Sequence, residues 1–228
     1  MIEVAGESVT ALLDASDGRL GCARSTGRLA VRCDDSFAWL VVERGRGRAE
    51  LDGMQFDVAG RDDVFERPGW SAILAPGSHV ELDAALAATV VWRRADGFAT
   101  STRVIDPASV VEEWRGDGVT RRRVRTYVAE GPLIVGETIN PPGGWSSWPP
   151  HSHDHEELYL YRFEPAHGFG VHVDLSELPI TVRDGDVVRI RSGEHPVVGA
   201  PGCTMYYLWA LAGATPTVDT RISPDFAF

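Results

Sequence analysis

Pro149-Pro150-His151-Ser152-His153-Asp154-His155-Glu156-Glu157-Leu158-Tyr159-Leu160-Tyr161-Arg162-Phe163 holds a histidine pair and an alternating run within fifteen residues. From Glu157 onward, Glu157, Tyr159, Tyr161 and Phe163 alternate with Leu158, Leu160 and Arg162, the period of two that marks a β-strand. Upstream, His151 and His153 are two apart, so in an extended segment both imidazoles share a face and can aim at one point. Pro149 and Pro150 fix φ and carry no N–H, which suits the entry to a strand. Asp154, His155 and Glu156 then form the turn that folds Glu157, at the head of the second strand, back beside the histidines. Two imidazole nitrogens and a carboxylate oxygen are a donor set that suits a metal ion.

A third imidazole has to come from the later histidines His167, His172 or His195. His195 has the best surroundings: Asp184-Gly185 marks a turn, Val187 to Ile190 a short strand, and Gly193 stands two residues before the histidine. The pair of segments, HxHx3E and a later Gly-x-His that closes a short strand, resembles the two signature motifs of the cupin superfamily, small β-barrels with a three-histidine, one-glutamate metal site in the mouth. On that resemblance the ligands are His151, His153, Glu157 and His195. A bare HxH is more often a pair of surface histidines; the spaced glutamate and the Gly-x-His segment together favour the metal.

A chain of 228 residues can form one large β domain or two small ones, each with a real core. No run of about 18 apolar residues occurs, and the N-terminal residues lack the basic-then-apolar layout of a signal peptide, so no membrane partner and a cytoplasmic location are expected. Cys22, Cys33 and Cys203 are odd in number and widely spaced with no CxxC, which argues against a disulfide framework or a cysteine-rich zinc site. The net charge of −11 argues against a nucleic-acid partner. The one basic cluster, Arg121-Arg122-Arg123-Val124-Arg125, alternates as a strand would and reads as a solvated face. All 22 basic residues are arginine, which excludes Schiff-base catalysis through a lysine amine. Carbonyl chemistry in this chain has to use a metal or acid–base groups.

Residues 1–25 are polar, rich in Gly, Ser and Asp, and read as an irregular lead-in. Short β runs follow at 29–32, 37–42, 47–51, 64–65, 71–74, 79–82 and 88–92, punctuated by Asp52-Gly53 and Pro76-Gly77. The second half repeats the style, with runs at 121–128, 133–139, 169–173, 180–182, 187–190 and 205–211 around the motif strands. Helix is scarce: one or two turns over 107–114, with Asp106 as N-cap before Pro107. The pattern predicts an all-β chain of sandwich or barrel type, divided at the polar stretch near residue 100 into domains 1–100 and 101–228. A faint repeat sets Ile73-Leu74-Ala75-Pro76-Gly77-Ser78-His79 against Ile190-Arg191-Ser192-Gly193-Glu194-His195. His79 is the only histidine of the first half, so the expectation is two similar barrels with metal in the second alone; shared turn chemistry would produce the same echo.

The second half carries a closer resemblance. Leu133-Ile134-Val135-Gly136-Glu137, Trp145-Ser146-Ser147-Trp148-Pro149-Pro150-His151-Ser152-His153-Asp154, Glu156-Glu157-Leu158-Tyr159-Leu160-Tyr161-Arg162-Phe163 and Val182-Arg183-Asp184-Gly185-Asp186-Val187-Val188 are similar to the 5-deoxy-glucuronate isomerase family of inositol catabolism, two-cupin proteins related to the 4-deoxyuronate ketol-isomerases. Weaker likeness runs back to Leu40. The resemblance implies a two-domain cupin of two β-barrels or jelly rolls. It also implies a metal-dependent aldose–ketose isomerase that converts 5-deoxy-glucuronate into 5-dehydro-2-deoxy-gluconate through an enediolate. The expected partner is a small-molecule sugar acid, and a homo-oligomer is compatible. Zn²⁺ or Mn²⁺ suits mixed nitrogen and oxygen ligands, with Fe or Ni as alternatives.

Candidates for the general base are Tyr159, Glu194 and His172, and candidates for holding the substrate are Arg162, Tyr161 and Arg122, the arginines by bidentate pairing with a carboxylate. Parity turns Arg162 away from the face of Glu157, where a salt bridge is its simplest use, and Arg122 has the same weakness. Tyr161 serves equally well as core. His155 has the parity to face the site, but a turn histidine exposed to water is the simpler reading. Several positions depart from the family: only three residues separate His153 from Glu157, and His172, Arg191, Glu194 and Trp209 stand where Gln, Pro, Tyr and Asn are usual. Two competing readings are a cupin dioxygenase holding Fe(II) and a non-catalytic sugar-acid-binding cupin.

Overall fold

The computed structural model describes residues 1–175 and 177–226. It is all β; among the described residues helix is confined to 3-10 turns at Ala15–Asp17, Pro107–Ser109, Gly118–Thr120 and Pro224–Phe226, and no helix is long and apolar enough to cross a membrane. The chain divides into two compact units, one comprising Met1–Val110 and Gly131–Leu133, the other Val111–Glu130 and Ile134–Phe228.

The first unit contains β1 (Ile2–Gly6), β2 (Val9–Leu13), β3 (Leu20–Ser25), β4 (Leu29–Cys33), β5 (Ser36–Arg44), β6 (Gly47–Leu51), β7 (Met54–Val58), β8 (Ser71–Leu74), β9 (His79–Leu82), β10 (Ala87–Arg94) and β11 (Arg103–Ile105). The second contains β12 (Val111–Arg115), β13 (Arg122–Val128), β14 (Ile134–Asn140), β15 (Trp145–Ser146), β16 (His151–Ser152), β17 (Glu156–Glu164), β18 (Phe169–His172), β19 (Ile180–Arg183), β20 (Val187–Ile190), β21 (Val197–Gly199), β22 (Thr204–Ala212) and β23 (Arg221–Ile222).

Each unit is built from two larger sheets, and the strand orders correspond. The six-stranded sheets run β11-β8-β5-β10-β3-β2 and β12-β13-β14-β22-β17-β20; the others run β1-β4-β9-β6-β7 and β15-β21-β18-β19. Taken in chain order, β2 to β10 map one for one onto β13 to β22 with a single strand left over, β16. That strand pairs with β23 in a separate two-stranded sheet, and neither has a counterpart in the first unit.

The two larger sheets of each unit share one core. In the first unit it is aliphatic, with Leu29, Val31, Ala38, Leu40, Val42, Leu51, Leu74, Val80 and Val90 buried together. In the second, the alternating face of β17 supplies Tyr159, Tyr161 and Phe163, packed with Val182, Ile190, Val197, Met205 and Tyr207. A tryptophan lying over a cross-strand glycine aligns the units: Trp92 pairs with Gly21 and Ala38, Trp209 with Gly136 and Tyr159. By that register Ser36, two residues before Ala38, stands where Glu157 stands, and Ala38 and Leu40 where Tyr159 and Tyr161 stand.

The structure corrects several expectations. Residues 1–25 form three strands: β1 and β2 pair at sheet edges with β4 and β3, and the small side chains of β3 leave room for Trp92, since a Cβ on Gly21 would come 2.3 Å from that indole. Val64-Phe65 is not a strand; the Asp63 carboxylate accepts from the Phe65 N–H at 3.1 Å and closes a turn. Asp106 caps a turn by accepting from the Ala108 N–H at 2.8 Å, but the helix ends at Ser109 and Val111–Arg115 pairs with β13 instead. The first unit extends to Val110, not residue 100, since Arg103–Ile105 pairs with β8. Arg125, read as part of a solvated face, is fully buried between Glu112 and Glu137, because that face of β13 is covered.

Candidate metal centre

Four side chains converge in the second unit. His151 lies on β16 and His153 just beyond it; Glu157 is on β17, opposite Ile190 of β20, and His195 follows β20 through the turn at Gly193. Each imidazole is oriented by a backbone carbonyl: Nδ1 of His151 by Pro149 at 2.9 Å, of His153 by His155 at 2.8 Å and of His195 by Gly193 at 3.0 Å. A carbonyl can only accept, so the proton sits on Nδ1 and each Nε2 is left with its lone pair directed inward. The ligand atoms of the three rings lie within 4.8 Å of one another.

Glu157 Oε2 is 3.2 Å from His153 Nε2 and 3.1 Å from His195 Nε2. The His195 nitrogen is buried and, though close to that oxygen, out of line for a hydrogen bond. A buried nitrogen lone pair with no donor facing it, beside two more and a buried carboxylate, is a set a divalent cation satisfies. The residues therefore fit a metal. Burial pushes the Glu157 carboxyl up, but the close imidazoles of His153 and His195, which stabilise the carboxylate when they carry charge, outweigh it and bring the group down to about 2. Burial also lowers His151, helped by the charge of His195. For His195 burial works downward, and the Glu157 carboxylate 3.1 Å away, which stabilises the charged ring, more than reverses it.

The serines of Trp145-Ser146-Ser147-Trp148 anchor the tyrosines behind the site. Ser146 Oγ is 2.8 Å from the Tyr207 hydroxyl and accepts from Asn140 Nδ2 at 2.9 Å; Ser147 Oγ is 2.7 Å from the Tyr159 hydroxyl. Ser147 adopts φ 52°, a left-handed conformation uncommon outside glycine, and in it meets the Tyr159 hydroxyl.

A cavity of about 280 Å³ opens over His151, His153 and Glu157. Of the base candidates only Tyr159 lines it. His172 is buried in hydrogen-bond contact with the Tyr161 hydroxyl at 2.7 Å and borders a different cavity; burial and the charge of His195 lower it to about 4. Glu194 does not line the cavity either; its backbone carbonyl accepts from the Leu175 N–H at 3.2 Å. Of the candidates for holding substrate, Arg122 lines the cavity, in register with Arg115, which also lines it. Arg162 is on the opposite face of β17, ion-paired with Asp184 at 2.9 Å, and Tyr161 is fully buried below the cavity. His155 is buried rather than exposed, because its imidazole lies against Gly213 and its Nε2 is 3.0 Å from the Thr215 carbonyl. Sequence reasoning missed Arg115, Thr138, Val218 and Thr220 as lining residues. No periodicity joins them to the motif, since they sit on strands and a C-terminal segment that meet only in the fold.

A family model described as the KduI/IolB family matches residues 27–228. A 5-deoxy-glucuronate isomerase from Geobacillus kaustophilus (strain HTA426) is 34% identical over 212 residues, which span 84% of this chain and 77% of that protein. A crystal structure of an IolB-like protein from Salmonella typhimurium LT2 superposes with a TM-score of 0.88 over 99% of this chain and 97% of the other, at 24% identity. A cupin 2 conserved barrel domain protein from Leptotrichia buccalis gives a TM-score of 0.52 at 14% identity, covering 92% of this chain and 89% of its own. At those identities the two structures speak for a cupin-like fold alone.

Proposed function

This chain belongs to the KduI/IolB family, and from that premise we propose that it is a metal-dependent isomerase of a uronate-type sugar acid, converting 5-deoxy-glucuronate into 5-dehydro-2-deoxy-gluconate. In this reading the two units are two cupin barrels, of which the second alone carries the ion. The observation that carries the proposal is the convergence of three Nδ1-protonated imidazoles and Glu157 at the floor of a cavity that also holds Arg122. His151, His153 and His195 would hold a divalent cation through Nε2, with the Glu157 carboxylate as fourth ligand. When bound, the ion supplies positive charge beside the carbonyl and hydroxyl oxygens of an open-chain sugar acid.

The chain's own groups do the rest. Arg122 receives the substrate carboxylate, for which its planar fork is suited, and Arg115 adds positive charge on the same side. Burial pushes the Tyr159 phenol well above its usual range, so Tyr159 Oη stays protonated and acts as a hydrogen-bond donor, not as a base. Beyond the ligand set, the polar groups lining the cavity are guanidiniums, the Trp209 indole N–H and the hydroxyls of Ser147, Tyr159, Tyr207, Thr138 and Thr220. Tyr159 Oη, which lines the same cavity as Glu157, is thus placed to donate a hydrogen bond to a substrate oxygen.

The test is an isomerase assay on 5-deoxy-glucuronate with protein stripped by chelator and then resupplied with Mn²⁺ or Zn²⁺. Activity lost on stripping and restored by the ion is expected, as is loss of stoichiometric metal in His195→Ala. Metal-loaded protein that binds the sugar acid without turning it over would replace the isomerase by a binding protein.

A further inference from the structure

The donor set is held in two unlike ways. Glu157 is carried by β17 of the six-stranded sheet, and His195 by the short connection from β20, the neighbour of β17 in that sheet, to β21. His151 and His153 are carried by β16 and the residues after it, which have no place in either larger sheet and no counterpart in the first unit. What secures them comes from residues 213–226. β23 pairs with β16, setting His151 opposite Ile222 and Ser152 opposite Arg221. The Ser223 N–H donates to the Pro150 carbonyl at 2.8 Å, and Arg221 donates to the Asp154 carboxylate at 2.6 Å. Phe226 packs edge-on against Trp148, with centroids 5.5 Å apart. His155, whose carbonyl orients His153, reaches the Thr215 carbonyl through its own imidazole. Gly213 makes this possible, since a Cβ there would lie 2.5 Å from the His155 ring.

We propose that residues 213–226 are a positioning segment for the metal site: they hold His151 and His153 in reach of Glu157 and His195, and without them the donor set is only half assembled. The inference rests on the metal reading above. The reason is entropic as well as geometric. A loop bearing two ligands keeps many conformations unless ordered beforehand, and every conformation frozen at the moment of binding subtracts from metal affinity. Tethers at Pro150, His151, Asp154 and His155 do that ordering before the ion arrives, and Val218 and Thr220 of the same segment wall the cavity, so metal and substrate sites are completed together.

Three variants test this: deletion of residues 214–228, Ser223→Pro, which removes the donor to Pro150, and His155→Leu, which keeps bulk but loses the link to Thr215. The affinity for Co²⁺ is measured by chelator competition, its visible absorption spectrum reports coordination geometry, and far-ultraviolet circular dichroism checks folding. Wild type should bind one ion, and the variants should stay β-folded yet bind about 10- to 100-fold more weakly, the usual cost of losing an outer-sphere contact to a ligand, with an altered Co²⁺ spectrum. His155→Gln, which retains a side-chain donor, should recover much of the loss. If the deletion unfolds the protein, the two point variants decide. Point variants that bind Co²⁺ as tightly as wild type, with the same spectrum, overturn the proposal; a wild type that binds no divalent ion overturns the metal reading beneath it.

Discussion

Arg122 and Arg162 separate two kinds of arginine that look alike in sequence. Arg122 lines the cavity, while Arg162 is spent on Asp184 across the sheet. A charge-assisted bond to a substrate carboxylate is worth roughly 1.5–3 kcal/mol, so Arg122→Leu should raise KM for the sugar acid by about 10- to 100-fold. Arg162→Leu should leave KM unchanged, and steady-state kinetics on the two variants checks the assignment. The Tyr161–His172 pair gives a second expectation. Tyr161→Phe strands a buried imidazole nitrogen, an arrangement that costs about 1–3 kcal/mol, and a urea titration should show that loss without any loss of bound metal.

Among the elements, β14 shows how a strand can be chosen by its neighbours. Gly136 is a weak strand former, yet a Cβ there would come 2.1 Å from the Trp209 indole and 2.4 Å from the Arg125 carbonyl. The indole occupies the space a Cβ would take and its Nε1 donates to Thr138 Oγ1 at 3.1 Å, with Trp209 lining the cavity. Gly136→Ala should therefore destabilise by about 1–3 kcal/mol or more, as overpacked cores do, with the loss read from the denaturation midpoint. Gly21 beneath Trp92 repeats the arrangement in the first unit, while the cluster of three imidazoles found among the described residues lies in the second. The tryptophan-over-glycine pair is thus part of the shared sheet architecture, and the second unit has turned one copy of it toward a cavity.

For the whole molecule, acid should be the telling stress. His172 is held at about 4 against 6.5 for the free side chain, so between those values the unfolded chain binds more protons and stability falls as pH is lowered. His151 is shifted in the same direction. Glu157, held at about 2 against 4.5, adds a second loss as pH drops below 4.5. His195 is raised and works the other way, its contribution being present at low pH and lost as pH rises through its folded value. In chelator-treated protein, the urea midpoint should decline from pH 6.5 toward pH 4 and further below; a midpoint that is flat over the upper interval would show that His172 is not buried as a neutral imidazole.

How much of this was legible follows from the range of the interactions. Alternation over two residues is a local property, so the strand from Glu157 to Phe163, the shared face of His151 and His153, and the all-β character could all be read from neighbouring residues. The spaced glutamate and the Gly-x-His segment added the rest of the donor set, because their signal is also confined to short stretches. What the sequence could not express was pairing at long separation. Arg125 looks solvated until Glu112 and Glu137 close over it, Arg122 looks turned away until β13 is laid beside the cavity, and His155 looks exposed until Thr215, 60 residues on, meets it. β1 and β2 looked irregular because edge strands bury little and so carry a weak hydrophobic period. Which atoms could bind a cation is written in short stretches of the chain; which segment holds them still depends on long-range contacts that no local pattern records.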